Sequence, residues 1–154
     1  MKKYLLFLLF HVCAIQMLIA ADLTPDQTQL RNEIQAFLDE KGFMPKVINE
    51  KFICFKKKDT IYQIFIPSED KNPMCVSLSV FSPYDFYSKE FVLQASQELY
   101  EDRAVKLICH ETEYQIRTGT YLVSFEAFES IFYKLMDQID SVEWYLLTGS
   151  ISEE

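Results

Sequence analysis

The sequence predicts an α+β fold: an antiparallel sheet of about five or six strands with helices on one face. Three observations predict it. Apolar residues recur at helical spacing in three separated stretches, and between the first two of them the period changes to two. Within that middle region Val76, Leu78 and Val80 alternate with Cys75, Ser77 and Ser79, the pattern of a sheet with one covered and one wet face. The expected order is α-β-β-β(β)-α-β-β-α.

The first helix starts at Thr24-Pro25-Asp26-Gln27, with Thr24 as N-cap, Pro25 in the first turn and Gln27 completing a capping box. Leu30, Ile34, Phe37 and Leu38 form its apolar face, and Gly42 closes it. Strands follow at Phe52 to Lys56, Ile61 to Ile66 and Met74 to Phe81, with a further extended piece around Met44 to Ile48 turning through Asn49-Glu50. The second helix runs from about Asp85 or Ser88 to Glu101, with Phe91, Ala95 and Leu99 in line. Val105 to His110 and Tyr114 to Val123 read as two more strands, with Gly119 as a bulge or bend. The last helix runs from near Ser124 towards Leu147, its core stripe being Phe128, Phe132, Leu135, Ile139 and Val142, while Trp144 reads as a core plug. Leu78, Leu107 and Leu135 are expected to face one core.

Lys2 and Lys3 precede an apolar run from Tyr4 that ends in the small residues Ala20 and Ala21, which reads as a secretory signal peptide over residues 1–21. An uncleaved membrane anchor is the rival reading, and His11 and Gln16 interrupt the run against it. Either way the domain is expected to be exported, periplasmic or secreted, because the two lysines hold the N-terminus inside. Residues 22–147 then form one domain, an ordinary size for a single core, and 148–154 read as a flexible acidic tail. The formal charge is −8 for the whole chain and more negative without Lys2 and Lys3. No basic run exceeds Lys56-Lys57-Lys58, so nucleic acid is set aside as a partner.

The order and residues resemble a known family. An amphipathic helix ending in Lys41-Gly42-Phe43, a hairpin of Phe52-Ile53-Cys54-Phe55 with Ile61-Tyr62-Gln63-Ile64, the Val105-Lys106-Leu107 strand and the closing helix look like the YbjN-like proteins, over about residues 25–147. The resemblance implies the fold of type III secretion chaperones and no agreed activity. Those chaperones work in the cytoplasm beside an export machine, whereas this chain carries an export signal. Fold, rather than role, is what the resemblance carries.

Catalytic equipment is sparse. Cys109-His110-Glu111-Thr112-Glu113 offers a thiol, an imidazole and two carboxylates, but strand geometry turns Cys109 and His110 to opposite faces. The zinc-protease motif needs a second histidine where Tyr114 stands. Cys54, Cys75 and Cys109 are expected to be three free thiols, since Cys54 and Cys75 are separated by an intervening strand, roughly 9–10 Å against a disulfide reach below about 7 Å. Glu98, Glu101, Asp102, Asp137 and Asp140 read as solvated helix faces. No phosphate loop or nucleophile elbow occurs, so no catalytic residue, metal or cofactor is expected.

The expected role is therefore a non-enzymatic binding module for a peptide or protein partner. Phe81-Ser82-Pro83-Tyr84-Asp85-Phe86-Tyr87 concentrates aromatics in a strand-to-helix connection, which nominates Tyr84, Phe86 and Tyr87 as contact residues; the alternative is that Phe81 and Phe86, with or without Tyr84, tuck under the second helix as core. The other functional reading is an envelope structural or accessory subunit that self-associates, for instance as a homodimer. A membrane is a partner only if the signal stays uncleaved.

Overall fold

The computed structural model describes residues 22–70, 74–85, 87–99 and 104–148. Residues 1–21, read above as a signal peptide, Phe86 and the residues beyond Thr148 lie outside the described residues, and Thr148, read above as the first residue of a tail, is the last of a helix. The elements are α1 (Pro25–Glu40), β1 (Lys46–Asn49), β2 (Phe52–Lys57), β3 (Thr60–Phe65), β4 (Met74–Pro83), α2 (Lys89–Leu99), β5 (Val105–Cys109), β6 (Glu113–Leu122) and α3 (Phe125–Thr148). They form an α+β fold with one antiparallel six-stranded sheet, ordered β1-β2-β3-β4-β6-β5. The order is α-β-β-β-β-α-β-β-α, as the periodicity indicates.

Local chemistry fixes the ends of α1. The Thr24 hydroxyl accepts from the Gln27 N–H at 3.3 Å, and Gln27 Oε1 accepts from the Thr24 N–H at 2.9 Å, a complete capping box. At the other end Phe43 N donates to Leu38 O and Gly42 N to Asp39 O, with Gly42 at φ +79°, a backbone that a Cβ would strain. The closure delivers the Phe43 ring onto Phe55 and Phe132, with centroids at 5.2 and 5.8 Å. The Asn49 side chain accepts from the N–H groups of Lys51 and Phe52, an Asx-type turn that folds β1 back on β2.

Antiparallel pairing carries one apolar face across the sheet: Ile53 opposes Ile64, Ile64 opposes Leu78, Tyr62 opposes Val80, Val80 opposes Ile116, and Ile116 opposes Leu107. These residues join one buried cluster with Ile34, Phe37 and Leu38 of α1, Val92, Ala95 and Leu99 of α2, and Phe128, Phe132, Leu135, Ile139 and Val142 of α3. Leu78, Leu107 and Leu135 all belong to it. Every strand residue of that cluster lies on this inner face, so all three helices pack on one side of the sheet.

Several sequence expectations need correction. Gly119 is neither bulge nor bend: β6 pairs with β4 without interruption from Glu113 to Leu122. Its lack of a side chain serves close packing, because a Cβ there would lie 3.2 Å from Val76 O and 3.3 Å from Ser77 Cβ. In α2 the buried line is Val92, Ala95 and Leu99, and Phe91 is 40% exposed. Trp144 is 51% exposed rather than a plug, because Val142 and Leu146 take the inner face of that turn. Ser77 and Ser79, expected to be wet, are each 3% exposed although they lie on the outer face. They are short residues in the middle of the sheet, on β4 between β3 and β6, set opposite Phe65 and Arg117 respectively. Among the described residues no helix is long and apolar enough to cross a membrane.

Candidate functional site

Strand β5 is a sheet edge: among the described residues it pairs with β6 alone, leaving its other flank open. Along it runs an open groove of about 310 Å³, lined by Leu93, Ser96 and Leu99 of α2 and by β5 itself. Among the described residues the lining is mainly apolar, with Lys106 its one charged group. Helical geometry makes the groove. With Val92, Ala95 and Leu99 turned to the core, Leu93 and Ser96 face one flank of α2 and Phe91 and Glu98 the other. The second flank is held by α3: the Tyr145 hydroxyl donates to Glu98, and Gln94 Nε2 donates to the same carboxylate at 3.0 Å. These hydrogen bonds hold the Glu98 carboxyl below its ordinary range.

Of the nominated aromatics, Phe86 lies outside the described residues, and Tyr84 and Tyr87 are not free-standing rings. Tyr84 is half-buried, donates from its hydroxyl to His110 O at 3.1 Å, and packs on Tyr114 with centroids 5.8 Å apart. Burial and the adjacent Cys109 thiol push the Tyr84 hydroxyl up to about 12. Tyr87, also half-buried, stacks on Phe91 at 5.7 Å and meets Tyr114 edge-on at 6.4 Å. Tyr84 and Tyr87 are both partly buried and pack against the core cluster without joining it. Because Cys109 lines the groove and neighbours Tyr84, the connection borders the groove's Cys109 end.

Cys109 and His110 do not come together. Cys109 is on the inner, groove side, whereas the His110 ring stacks on Phe81 of the outer face at 6.2 Å. Cys54, Cys75 and Cys109 are free thiols, and burial pushes those of Cys54 and Cys75 up, away from the thiolate that nucleophilic work needs. Among the described residues no group of three His, Cys, Asp or Glu side chains could hold a metal ion.

A polar cluster that the sequence did not announce lies between α3 and the sheet. The Tyr62 hydroxyl donates to Asp140 Oδ1, and Lys57 Nζ donates to Asp140 Oδ2 at 3.1 Å. Burial, then the negative charge of Asp140, pushes the Glu143 carboxyl up, while Lys57 opposes the shift; Tyr62, Tyr87 and Tyr114 feel the Glu143 charge in turn. A raised folded-state value means Glu143 imposes no penalty below the unfolded value of about 4.3, and costs stability as pH rises through the folded value. Glu143→Gln is therefore expected to raise urea stability at neutral pH, with the gain shrinking as pH falls to about 4. A gain that does not change with pH would mean the carboxylate is fully hydrated.

Comparison with known proteins returned no matching family model, no matching curated protein and no matching solved structure.

Proposed function

We propose that this protein is a non-enzymatic binding module, exported from the cytoplasm, that takes an extended peptide segment of a partner as an added strand on β5. The observation that carries this reading is the open edge of β5 running beside the apolar groove lined by α2. An edge strand presents N–H and C=O groups that an extended backbone satisfies, and alternate side chains of that backbone then point to one face. Over Val105–Cys109 the added strand spans roughly 17 Å, and its inward residues meet Leu93 and Ser96. Of the nominated aromatics, half-buried Tyr84 borders the groove's Cys109 end, tied there by its hydrogen bond to His110 O, while Tyr87 packs on Phe91 of the opposite flank of α2. Membership of the YbjN-like family, with its type III secretion chaperone-like fold, belongs to the same proposal and is supported by the element order.

The purified protein panned against random peptides is expected to select sequences with alternating apolar residues. Ser96→Trp, which fills the groove from a surface position, is expected to weaken the selected peptides by about tenfold or more while leaving the melting curve within about 1 kcal/mol. Peptides that bind Ser96→Trp as well as the unaltered protein would remove the site. The second reading, a self-associating subunit, could use the same free edge. Sedimentation as a dimer that Ser96→Trp dissociates would favour it.

A further inference from the structure

Among the described residues, charge is segregated between the helices α1 and α3 and the outer strand positions. Helix α3 carries Glu126, Glu129, Asp137, Asp140 and Glu143 against Lys134 alone, and α1 carries Asp26, Glu33, Asp39 and Glu40 against Arg31. The outer sheet face reverses that sign. Its strand residues include Lys46, Lys56, Lys106 and Arg117, all exposed, against the buried Glu113. Asp70 of the β3–β4 connection borders the face near Cys75.

The register arranges these groups. Lys46 opposes Cys54, Cys54 opposes Gln63, Gln63 opposes Ser79, Ser79 opposes Arg117, and Arg117 opposes Lys106. One polar row thus crosses all six strands, with cations at both ends and small or neutral side chains between, over a span of roughly 24 Å. Apolar groups flank it: the stacked Phe52 and Phe65 rings on one side, Ile61, Phe81 and Ile108 on the other. No strand residue of this face joins the core cluster. Lys46, Lys106 and Arg117 form no ion pair among the described residues. Lysines on the edge strands β1 and β5 also serve to discourage edge-to-edge pairing, but Arg117 lies on β6, an interior strand with no edge to protect.

We infer that this outer face docks an acidic, partly apolar segment of another protein, its carboxylates meeting Lys46 at one end and Arg117 with Lys106 at the other. Charge complementarity selects the occupant. A second copy meeting face to face would set like charges against each other. A single-stranded nucleic acid needs ring faces open for stacking along a continuous cationic groove. Here Phe52 and Phe65 stack on each other, Phe81 stacks on His110, and the middle of the row is neutral. The surface meets the α2 groove only at Lys106 and Ile108 of β5, and its remaining groups lie on β1 to β4 and β6, so it stands whether or not a peptide adds to β5.

The test uses the full chain and a synthetic amphipathic peptide of Glu, Leu and Ala, about sixteen residues long to match the row as a helix, with a Lys-for-Glu counterpart as control. Fluorescence anisotropy is expected to show binding of the acidic peptide that weakens with added salt. The doubly changed Lys46→Glu/Arg117→Glu protein is expected to lose about tenfold or more, Lys46→Gln/Arg117→Gln less, and Ser96→Trp nothing. The glutamine pair keeps the test valid if charge reversal impairs folding. Equal binding of the lysine peptide, or acidic-peptide binding that ignores both pairs of changes, overturns the proposal. Tighter binding of an oligothymidine would reassign the face to nucleic acid. Concentration-dependent polymerisation abolished by Arg117→Gln would reassign it to head-to-tail contact with the acidic helices of another copy.

Discussion

Replacing Phe132 by alanine is expected to remove about 3–5 kcal/mol from the folding free energy, the largest effect of any single truncation considered for this chain. The ring is fully buried and stands where three parts of the fold meet. Its centroid lies 5.2 Å from Phe37 of α1, 5.8 Å from Phe43 in the loop after it, 5.8 Å from Phe55 of β2 and 5.5 Å from Phe128 one turn back in α3. Deleting it forfeits the transfer energy of the ring and opens a cavity whose walls, belonging to different elements, cannot all close together. For a domain whose total stability is of the order of 5–15 kcal/mol, that is a large fraction. Urea titration followed by near-ultraviolet circular dichroism reads it directly. A loss under about 1.5 kcal/mol would show that the site collapses or that the ring is not central, and Phe132→Leu, which keeps most of the volume, is expected to cost clearly less.

Gln27→Leu is expected to cost about 2–3 kcal/mol, although glutamine at the start of a helix is ordinarily a surface residue. Here the side chain is completely buried, and it does more than cap. While Oε1 accepts from the Thr24 N–H, Nε2 donates to Pro67 O at 2.8 Å and Asp70 O at 2.9 Å, tying α1 to the connection between β3 and β4. The same connection is held from below by Lys51, 6% exposed, whose ammonium donates to Ser68 Oγ at 2.9 Å. Leucine would fill the space but leave two carbonyls and one N–H without their partner. Hydrogen exchange should therefore quicken at Ile66, whose N–H donates to Lys51 O, more than in the centre of the sheet. Uniform exchange across both regions would mean that the glutamine contributes only to the helix start.

Legibility followed the range of the interaction. The capping box at Thr24 and Gln27, the Gly42 closure and the α3 stripe are set by residues within a turn or two of each other, and all three were readable. Strand faces were readable too, because a period of two fixes which of Leu107 and Ile108 turns inward. Phe91 and Trp144 were misassigned although a signal existed. Phe91-Val92-Leu93 is a run of three apolar residues, more than one helix face can bury, and Val142 and Leu146 at four-residue spacing already excluded Trp144 from theirs. The run also marked Leu93 as surplus to the core, the one local hint of the groove.

What the sequence by itself determined was the set of elements, their order, the inward face of each strand and the exclusion of Cys109 from His110, because these depend on backbone periodicity and on neighbours along the chain. Only the tertiary structure decided which strands became edges, that β6 returns between β4 and β5, and that Lys46, Arg117 and Lys106 fall in one row across the sheet. It alone brought Tyr62, Lys57 and Asp140 together. These relations join residues from separate elements, most of them tens of positions apart, and are fixed by strand register and by the packing of α2 and α3 on the inner face. No local pattern encodes them, since each partner would look the same beside any other neighbour.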